Sequence, residues 1–146
     1  MPSITPTPTP SPSPTSVPHL TLVVNSETDA PDANPGDAIC EASLGAGICT
    51  LRAAIEEANA YAGADSVSLP AGTYTLGLGE LILTSEVLLS GMGGSSTLID
   101  GAGASRILTI SAGASVTLKQ VGLRHGNAGD DSGGAISNHG TLDLIS

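Results

Sequence analysis

The sequence predicts an all-β solenoid, a parallel β-helix closed at its N-terminal end by one amphipathic helix. Three observations carry that expectation. From residue 65 onward, short alternating runs of Val, Leu and Ile are separated by glycine-rich turns, the pattern of strands with one buried face. The pairs Val67/Leu69, Val87/Leu89, Val116/Leu118 and Leu142/Leu144 recur at intervals of 20, 29 and 26 residues. Such intervals suit units that bury their apolar face only against their neighbours. Finally, a single well-formed helix, CTLRAAIEEANA at 49–60, precedes those strands. An antiparallel sandwich has similar strand spacing, but the chain has no Trp and places both cysteines before most of the strands.

Residues 1–19 read as a Pro/Thr/Ser-rich stalk or linker. Pro2, Pro6, Pro8, Pro10, Pro12, Pro14 and Pro18 alternate with Ser and Thr. So few apolar side chains cannot form a core, and the composition favours extended polyproline II geometry. Met1 leads straight into this stalk with no charged start or apolar segment, so the chain reads as an internal fragment or as one whose start lies upstream. At the other end TLDLIS reads as an interrupted strand.

Residues 20–64 read as an N-terminal cap. A strand, LTLVVNS (20–26), leads into the acidic loop ETDAPDANPGD (27–37), the segment between Cys40 and Cys49, and the helix. Thr50 is the expected N-cap. Leu51, Ala54, Ile55 and Ala58 fall at i, i+3, i+4 and i+7, one apolar stripe. Arg52, Glu56 and Asn59 are expected to face away, with Arg52 and Glu56 spaced for an i, i+4 contact, and Gly63 to stop the helix. The first coil of a solenoid exposes an apolar cross-section and unpaired strand edges. A helix with a polar back laid across that end would cover both.

Residues 65–146 read as the coils. Strands are expected at 66–69, 73–76, 80–83, 86–89, 96–100, 106–110, 115–123 and 141–145. With no Phe or Trp and only Tyr61 and Tyr74 as aromatics, core volume must come from Leu, Ile, Val and Ala. That supply suits thin, layered packing.

Charge narrows the function. The formal net charge is −10, with only Arg52, Arg106, Lys119 and Arg124 basic. Nucleic acids and anionic membrane surfaces both require a basic face, so neither is an expected partner. No apolar stretch approaches the ~18 residues of a transmembrane span, so this segment is not expected to insert in a membrane. Cys40 and Cys49 in an acidic, Ser/Thr/Gly-rich chain read as a disulfide of a secreted protein, the alternative being two buried free thiols.

The segments VNSETDAPDANPGDAIC (24–40), CTLRAAIEEAN (49–59) and GADSVSLPAGTYTL (63–76) resemble the CSLREAI-type N-terminal module of bacterial right-handed parallel β-helix surface proteins. Thr50 and Ala53 stand where that module has Ser and Glu. Further on, GGAISNHGTLDL (133–144) is similar to the Gly-Gly-Ala-Ile repeats of polymorphic outer membrane proteins. The resemblance spans roughly residues 21–146. It implies a right-handed pectin lyase-like coil and a secreted or cell-surface location, and it carries over no catalytic residue.

Candidate chemistry is sparse. Asp29, Asp32, Asn34 and Asp37, with Gly36 for a tight turn, offer the closely spaced oxygen ligands of a Ca²⁺ loop. They lack the EF-hand spacing, and the alternative is a solvated turn held by Asx-type hydrogen bonds. Asp130 and Asp131 beside Arg124 and His125 are the candidates for polysaccharide cleavage, which needs clustered carboxylates on an exposed groove. The alternative is a polar inter-coil loop. Thr73, Thr75, Thr109 and Thr117 are candidates for an outward Thr ladder, although Thr is ordinary on strands. His19, His125 and His139 lack metal-ligand spacing, and GMGGSS (91–96) lies between strands, where no helix N-terminus can cradle phosphate. The expected role is therefore non-enzymatic, structural or adhesive, without a cofactor and with an unidentified surface ligand. A carbohydrate-binding or carbohydrate-cleaving β-helix is the alternative.

Overall fold

The computed structural model describes residues 1–11 and 17–146. Of the Pro/Thr/Ser-rich segment, residues 12–16 lie outside the described residues, and residues 1–11 carry no regular secondary structure. The elements that follow are β1 (Thr21–Val23), α1 (Leu51–Ala60), β2 (Ala64–Ser68), β3 (Gly72–Thr75), β4 (Leu81–Leu83), β5 (Glu86–Ser90), β6 (Thr97–Asp100), β7 (Leu108–Ile110), β8 (Ser115–Lys119), β9 (Gly122–Arg124), β10 (Ile136–Asn138) and β11 (Thr141–Ile145).

These strands stack as a parallel β-solenoid of about three turns. One sheet runs β1-β2-β5-β8-β11, a second β3-β6-β9 and a third β10-β7-β4, every pair parallel. Each coil is three short strands meeting at corners, and each coil bonds only to the coils above and below.

The core is a set of aliphatic columns running along the stack. Leu22, Val67, Leu89, Leu118 and Leu144 form one. Tyr74, Ile99 and Leu123 form another, and Leu81, Leu108 and Ile136 a third. Each side chain meets its counterpart one strand spacing away, so a thin interior fills with aliphatic side chains and one aromatic, Tyr74.

Register corrects the sequence-based repeat. The last two intervals, 29 and 26, are those of the structure: Val87 pairs with Val116, and Val116 with Leu142. The first interval is 22, not 20, because Val67 pairs with Leu89 and Asp65 with Val87. A buried carboxylate thus heads an otherwise apolar column, and Asp65 Oδ1 accepts the Leu20 N–H at 2.6 Å. Alignment by apolar identity alone slips by two residues, because such a shift leaves every side chain on its original face.

Further strand boundaries differ from expectation. The run 115–123 is two strands, since the chain turns a corner at Gln120, whose φ is +53°. Gly122 then passes so close to the Gly94 carbonyl that no Cβ would fit. The segment 136–138, not foreseen as a strand, closes the third sheet.

The helix begins as expected. Thr50 Oγ1 accepts the Ala53 N–H at 3.0 Å and donates to the Ala30 carbonyl at 2.5 Å. Leu51, Ala54, Ile55 and Ala58 are buried, but so are Ala53 and Glu57, so the buried face is wider than the stripe and includes a charge. Gly63 does not end the helix. Tyr61, in extended conformation, caps it, and Gly63 at φ +122° instead lets the chain pass the Pro18 carbonyl.

Arg52 and Asn59 turn toward the first coil. The hydrogen bonds Leu81 N–H to Ile107 carbonyl and Ser111 N–H to Leu83 carbonyl, both 2.9 Å, point the alternate groups of β4 away from β7. On that free edge the Asn59 amide takes the place of a strand. Its Nδ2 donates to the Ile82 carbonyl at 2.7 Å, and its Oδ1 accepts the Thr84 N–H at 2.9 Å.

The carboxamide does this because it carries a donor and an acceptor in the same geometry as a peptide. Asn59→Asp keeps the acceptor and opposes the Ile82 carbonyl with a charge. It is expected to lose about 1–2 kcal/mol at neutral pH in urea unfolding. The gap to the native chain should narrow below about pH 4, where a protonated Asp regains a donor. A pH-independent gap would show that the amide acts by packing alone.

Candidate functional site

The polar side chains gather in three places: the cap, one corner of the coils, and the third sheet's outer face. In the cap, Asp29 and Arg52 form a forked ion pair with Nε to Oδ1 at 2.7 Å and NH2 to Oδ2 at 3.1 Å, both side chains almost fully buried. Arg52 also donates to the carbonyls of Gly79 (2.7 Å) and Glu80 (3.2 Å), and Asp29 Oδ2 accepts the Leu78 N–H at 2.7 Å. The expected Arg52–Glu56 contact is replaced by this fork. Glu56 instead accepts the Asp32 N–H at 2.7 Å. Burial pushes the Asp29 carboxyl up, but the Arg52 and Leu78 hydrogen bonds outweigh it and hold it below the usual 3.8.

Deeper in the cap lies Glu57, fully buried. Its two carboxyl oxygens accept the N–H groups of Gly36 (2.5 Å) and Ala38. Burial raises its pKa above the usual 4.5; the two N–H groups oppose this, and neighbouring Asp32 raises it further. Asp32 Oδ1 takes long bonds from Glu41 N–H (3.4 Å) and Asn34 N–H (3.5 Å), while the buried Oδ2 has no hydrogen-bond partner among the described residues. Glu57 thus anchors the acidic loop to the helix.

The four oxygen ligands proposed from sequence therefore do not converge. Asp29 belongs to Arg52 and Asp32 lies beside Glu57. Asn34 Nδ2 donates to Asp37 Oδ2 at 3.0 Å, and Asp37 Oδ1 accepts the Ile39 N–H at 2.9 Å, an Asx turn. Among the described residues, no group of three or more His, Cys, Asp or Glu side chains is placed to hold a metal ion. Cys40 and Cys49 form a disulfide that closes the loop between the acidic segment and the helix.

At the corner after β6 and β9, Asp100, Arg124 and His125 come together. Asp100 Oδ2 accepts from Arg124 Nε at 2.8 Å, Oδ1 accepts the Ala102 N–H at 2.8 Å, and His125 Nδ1 lies 3.1 Å from Oδ1. The Ala102 N–H, then Arg124 and His125, hold the Asp100 carboxyl below 3.8 against the opposing effect of burial. Order along the chain joins Arg124 and His125 to Asp130 and Asp131. The structure gives them to Asp100, while Asp131 reaches Arg106 at 3.5 Å. The missed signal is an Asp ending a strand just before Gly-Ala-Gly, where its carboxylate can close the turn.

The Asp100 carboxylate orients an imidazole that is 64% exposed. Among the described residues, no hydroxyl or thiol is hydrogen-bonded to the outer nitrogen of that ring. On the third sheet, Thr109 Oγ1 donates to Glu80 Oε2 at 2.6 Å, and Arg106 spans Glu80 and Asp131.

The threonine candidates form no array: Thr73 and Thr75 lie on β3, Thr109 on β7 and Thr117 on β8, in three different sheets. His19, His125 and His139 are not gathered, and His139 contacts Ser137. The 91–96 segment is a turn between β5 and β6, closed by Ser96 N–H to Gly93 carbonyl at 2.9 Å. No described helix is long and apolar enough to cross a membrane. Comparison with family models, curated proteins and solved structures gives no match.

Two outcomes follow from the cap and the Asp100 corner. Glu57, with its folded pKa raised, contributes stability that is fully present below the usual 4.5 and is lost as pH rises through the raised value. Asp29 and Asp100, with lowered values, contribute stability present above 3.8 that is lost as pH falls through those values. Urea unfolding across pH should therefore peak on the mildly acidic side, and Glu57→Gln should abolish the decline above the peak while leaving the acid limb. An unchanged profile in Glu57→Gln would overturn this assignment. Second, Cys40→Ser should cost about 2–3 kcal/mol and open the cap before the coils, seen as early amide exchange in residues 33–49. Simultaneous exchange of cap and coils would show them to be one cooperative unit.

Proposed function

We propose that this chain is a non-enzymatic structural or adhesive module, secreted or displayed at a cell surface, which presents the lateral faces of a rigid β-solenoid. The observation that carries this reading is the use made of the three arginines. Arg52 ties the cap to the first coil, Arg124 spans from the third coil to Asp100 of the second, and Arg106 bridges Glu80 of the first coil and Asp131 beyond β9. Each acts as a strut along the stack, stiffening the rod. The Cys40–Cys49 disulfide suits an oxidising compartment. The resemblance of residues 24–76 to the CSLREAI-type module supports a surface location and a right-handed coil. The ligand would meet the half-buried Ser and Thr side chains and the exposed Lys119 of the coil faces, a surface compatible with carbohydrate. The reading requires no cofactor.

A second reading, a polysaccharide-cleaving β-helix, is favoured by one observation, the exposed His125 held by Asp100. Incubation with neutral and acidic polysaccharides separates the two. The structural reading expects no release of new reducing ends, together with retention of the folded chain on one or more immobilised polysaccharides or on cell surfaces. Reducing ends that appear with the native chain and vanish with His125→Ala would replace it with the enzymatic reading.

A further inference from the structure

The turns that lead into the third sheet leave a cleft of about 570 Å³ on the flank of the stack. Residues 78–82 of the first coil line one side and the loop at 127–129 the other, with residues 104–106 of the second coil between them. Two charged side chains meet there. Arg106 NH2 donates to the Ser132 carbonyl at 3.1 Å and lies 3.5 Å from Asp131, while Glu80 Oε2 accepts the Thr109 hydroxyl at 2.6 Å. Held by these other contacts, Arg106 NH1 stops 4.0 Å from Glu80 Oε2, beyond hydrogen-bond distance. Among the described residues, NH1 of Arg106 donates to no acceptor and Oε1 of Glu80 accepts from no donor. Beside the pair, Leu78 and Ile82 are 60% and 50% exposed.

We propose that this cleft binds a neutral sugar ring, one hydroxyl of which bridges Arg106 and Glu80. The 4.0 Å gap admits one bridging atom at about 2.8 Å from either side. That atom must accept from the guanidinium and donate to the carboxylate, and a hydroxyl does both. A carboxylate or phosphate ligand would meet Glu80 and the exposed Asp131, and an ammonium would meet Arg106, so net charge of either sign is opposed. Both bonds to a hydroxyl are charge-assisted, which strengthens them. Water has the same donor and acceptor capacity but gains nothing from Leu78 and Ile82, whereas a sugar ring can lay its C–H face on them. The cleft volume lies within the range of small-molecule sites. The inference rests on the display reading, to which it gives a ligand class and a place on the rod apart from Lys119 of the first sheet.

Titration of the isotope-labelled native chain with neutral glucan, mannan and galactan hexasaccharides, followed by amide chemical shifts, tests it. At least one neutral hexasaccharide is expected to bind saturably and to shift amides at 78–82, 104–106 and 127–129. Hexamers of galacturonate and of glucosamine should shift none of them. Glu80→Ala should weaken the neutral ligand by about tenfold or more. Ala104→Gln, which projects a longer uncharged side chain from an exposed position lining the cleft, should do the same and covers the case in which Glu80→Ala fails to fold. Leu44→Ser, on the exposed cap loop, should leave binding unchanged. Binding of no neutral sugar, preference for a charged hexamer, shifts confined to another face, or full affinity in Ala104→Gln overturns the proposal. Retention of the chain on cell surfaces in any of those cases leaves the display reading standing. Loss of retention on every polysaccharide and cell surface overturns the display reading instead, whether or not free hexasaccharide binds.

Discussion

A parallel solenoid satisfies the backbone of each coil only through the coils on either side, so the whole stack depends on what happens at its ends. In this protein the first end is closed by side chains that imitate backbone. The Asn59 amide presents a donor and an acceptor to β4 at the spacing a neighbouring strand would use. The Asp29–Arg52 fork does the same for the preceding loop, accepting from Leu78 and donating to Gly79 and Glu80. Because Arg52 and Asn59 are both on α1, the helix must lie in one orientation to meet both. Its apolar face, centred on Ile55, is thereby set over the first layer of the core.

The interior follows from the same stacking. Identical or similar aliphatic residues repeat one strand spacing apart, so each layer is a template for the next, and branched side chains pack well on the pleated surface. Asp65 heads the column Val87, Val116 and Leu142. Its carboxylate takes the Leu20 N–H at the boundary between cap and coils, a place where an apolar side chain would leave that donor unmet. Glu57 has a comparable role within the cap, binding two amides of the acidic loop. It does so at a cost, since a buried carboxylate next to Asp32 resists ionisation. The cap thus stores a tension between hydrogen bonding, which favours the charged form of Glu57, and burial, which opposes it.

On the outside of the rod the basic side chains that form ion pairs are used between turns. The arginines bridge coils or bind cap to coil, and their carboxylate partners are drawn from different turns of the solenoid. His125 is the exception, an exposed ring steered by a carboxylate that also closes a turn. Its setting is polar and oriented, which makes it the natural point of comparison between the adhesive and the enzymatic readings.

Much of this architecture could be read from residue order. Alternation in the Val-, Leu- and Ile-containing runs marks the strands, spacing places Leu51, Ala54, Ile55 and Ala58 on one helical face, and Thr50 announces the helix start. These are local signals, set by the two periodicities of backbone geometry. The first register was not readable, because a shift of two residues preserves the inward face and only pairing with β5 distinguishes Val67 from Asp65. Nor were the partners of Arg52, Asn59, Asp100 and Arg124, which come from residues 23 to 28 positions away, on another turn or in the cap. Charge and hydrogen-bonding capacity are properties of a residue, but which carboxylate or carbonyl stands opposite depends on how the coils stack. The sequence therefore announced a capped solenoid, while the duties of its polar side chains were set by contacts that exist only once the coils are stacked.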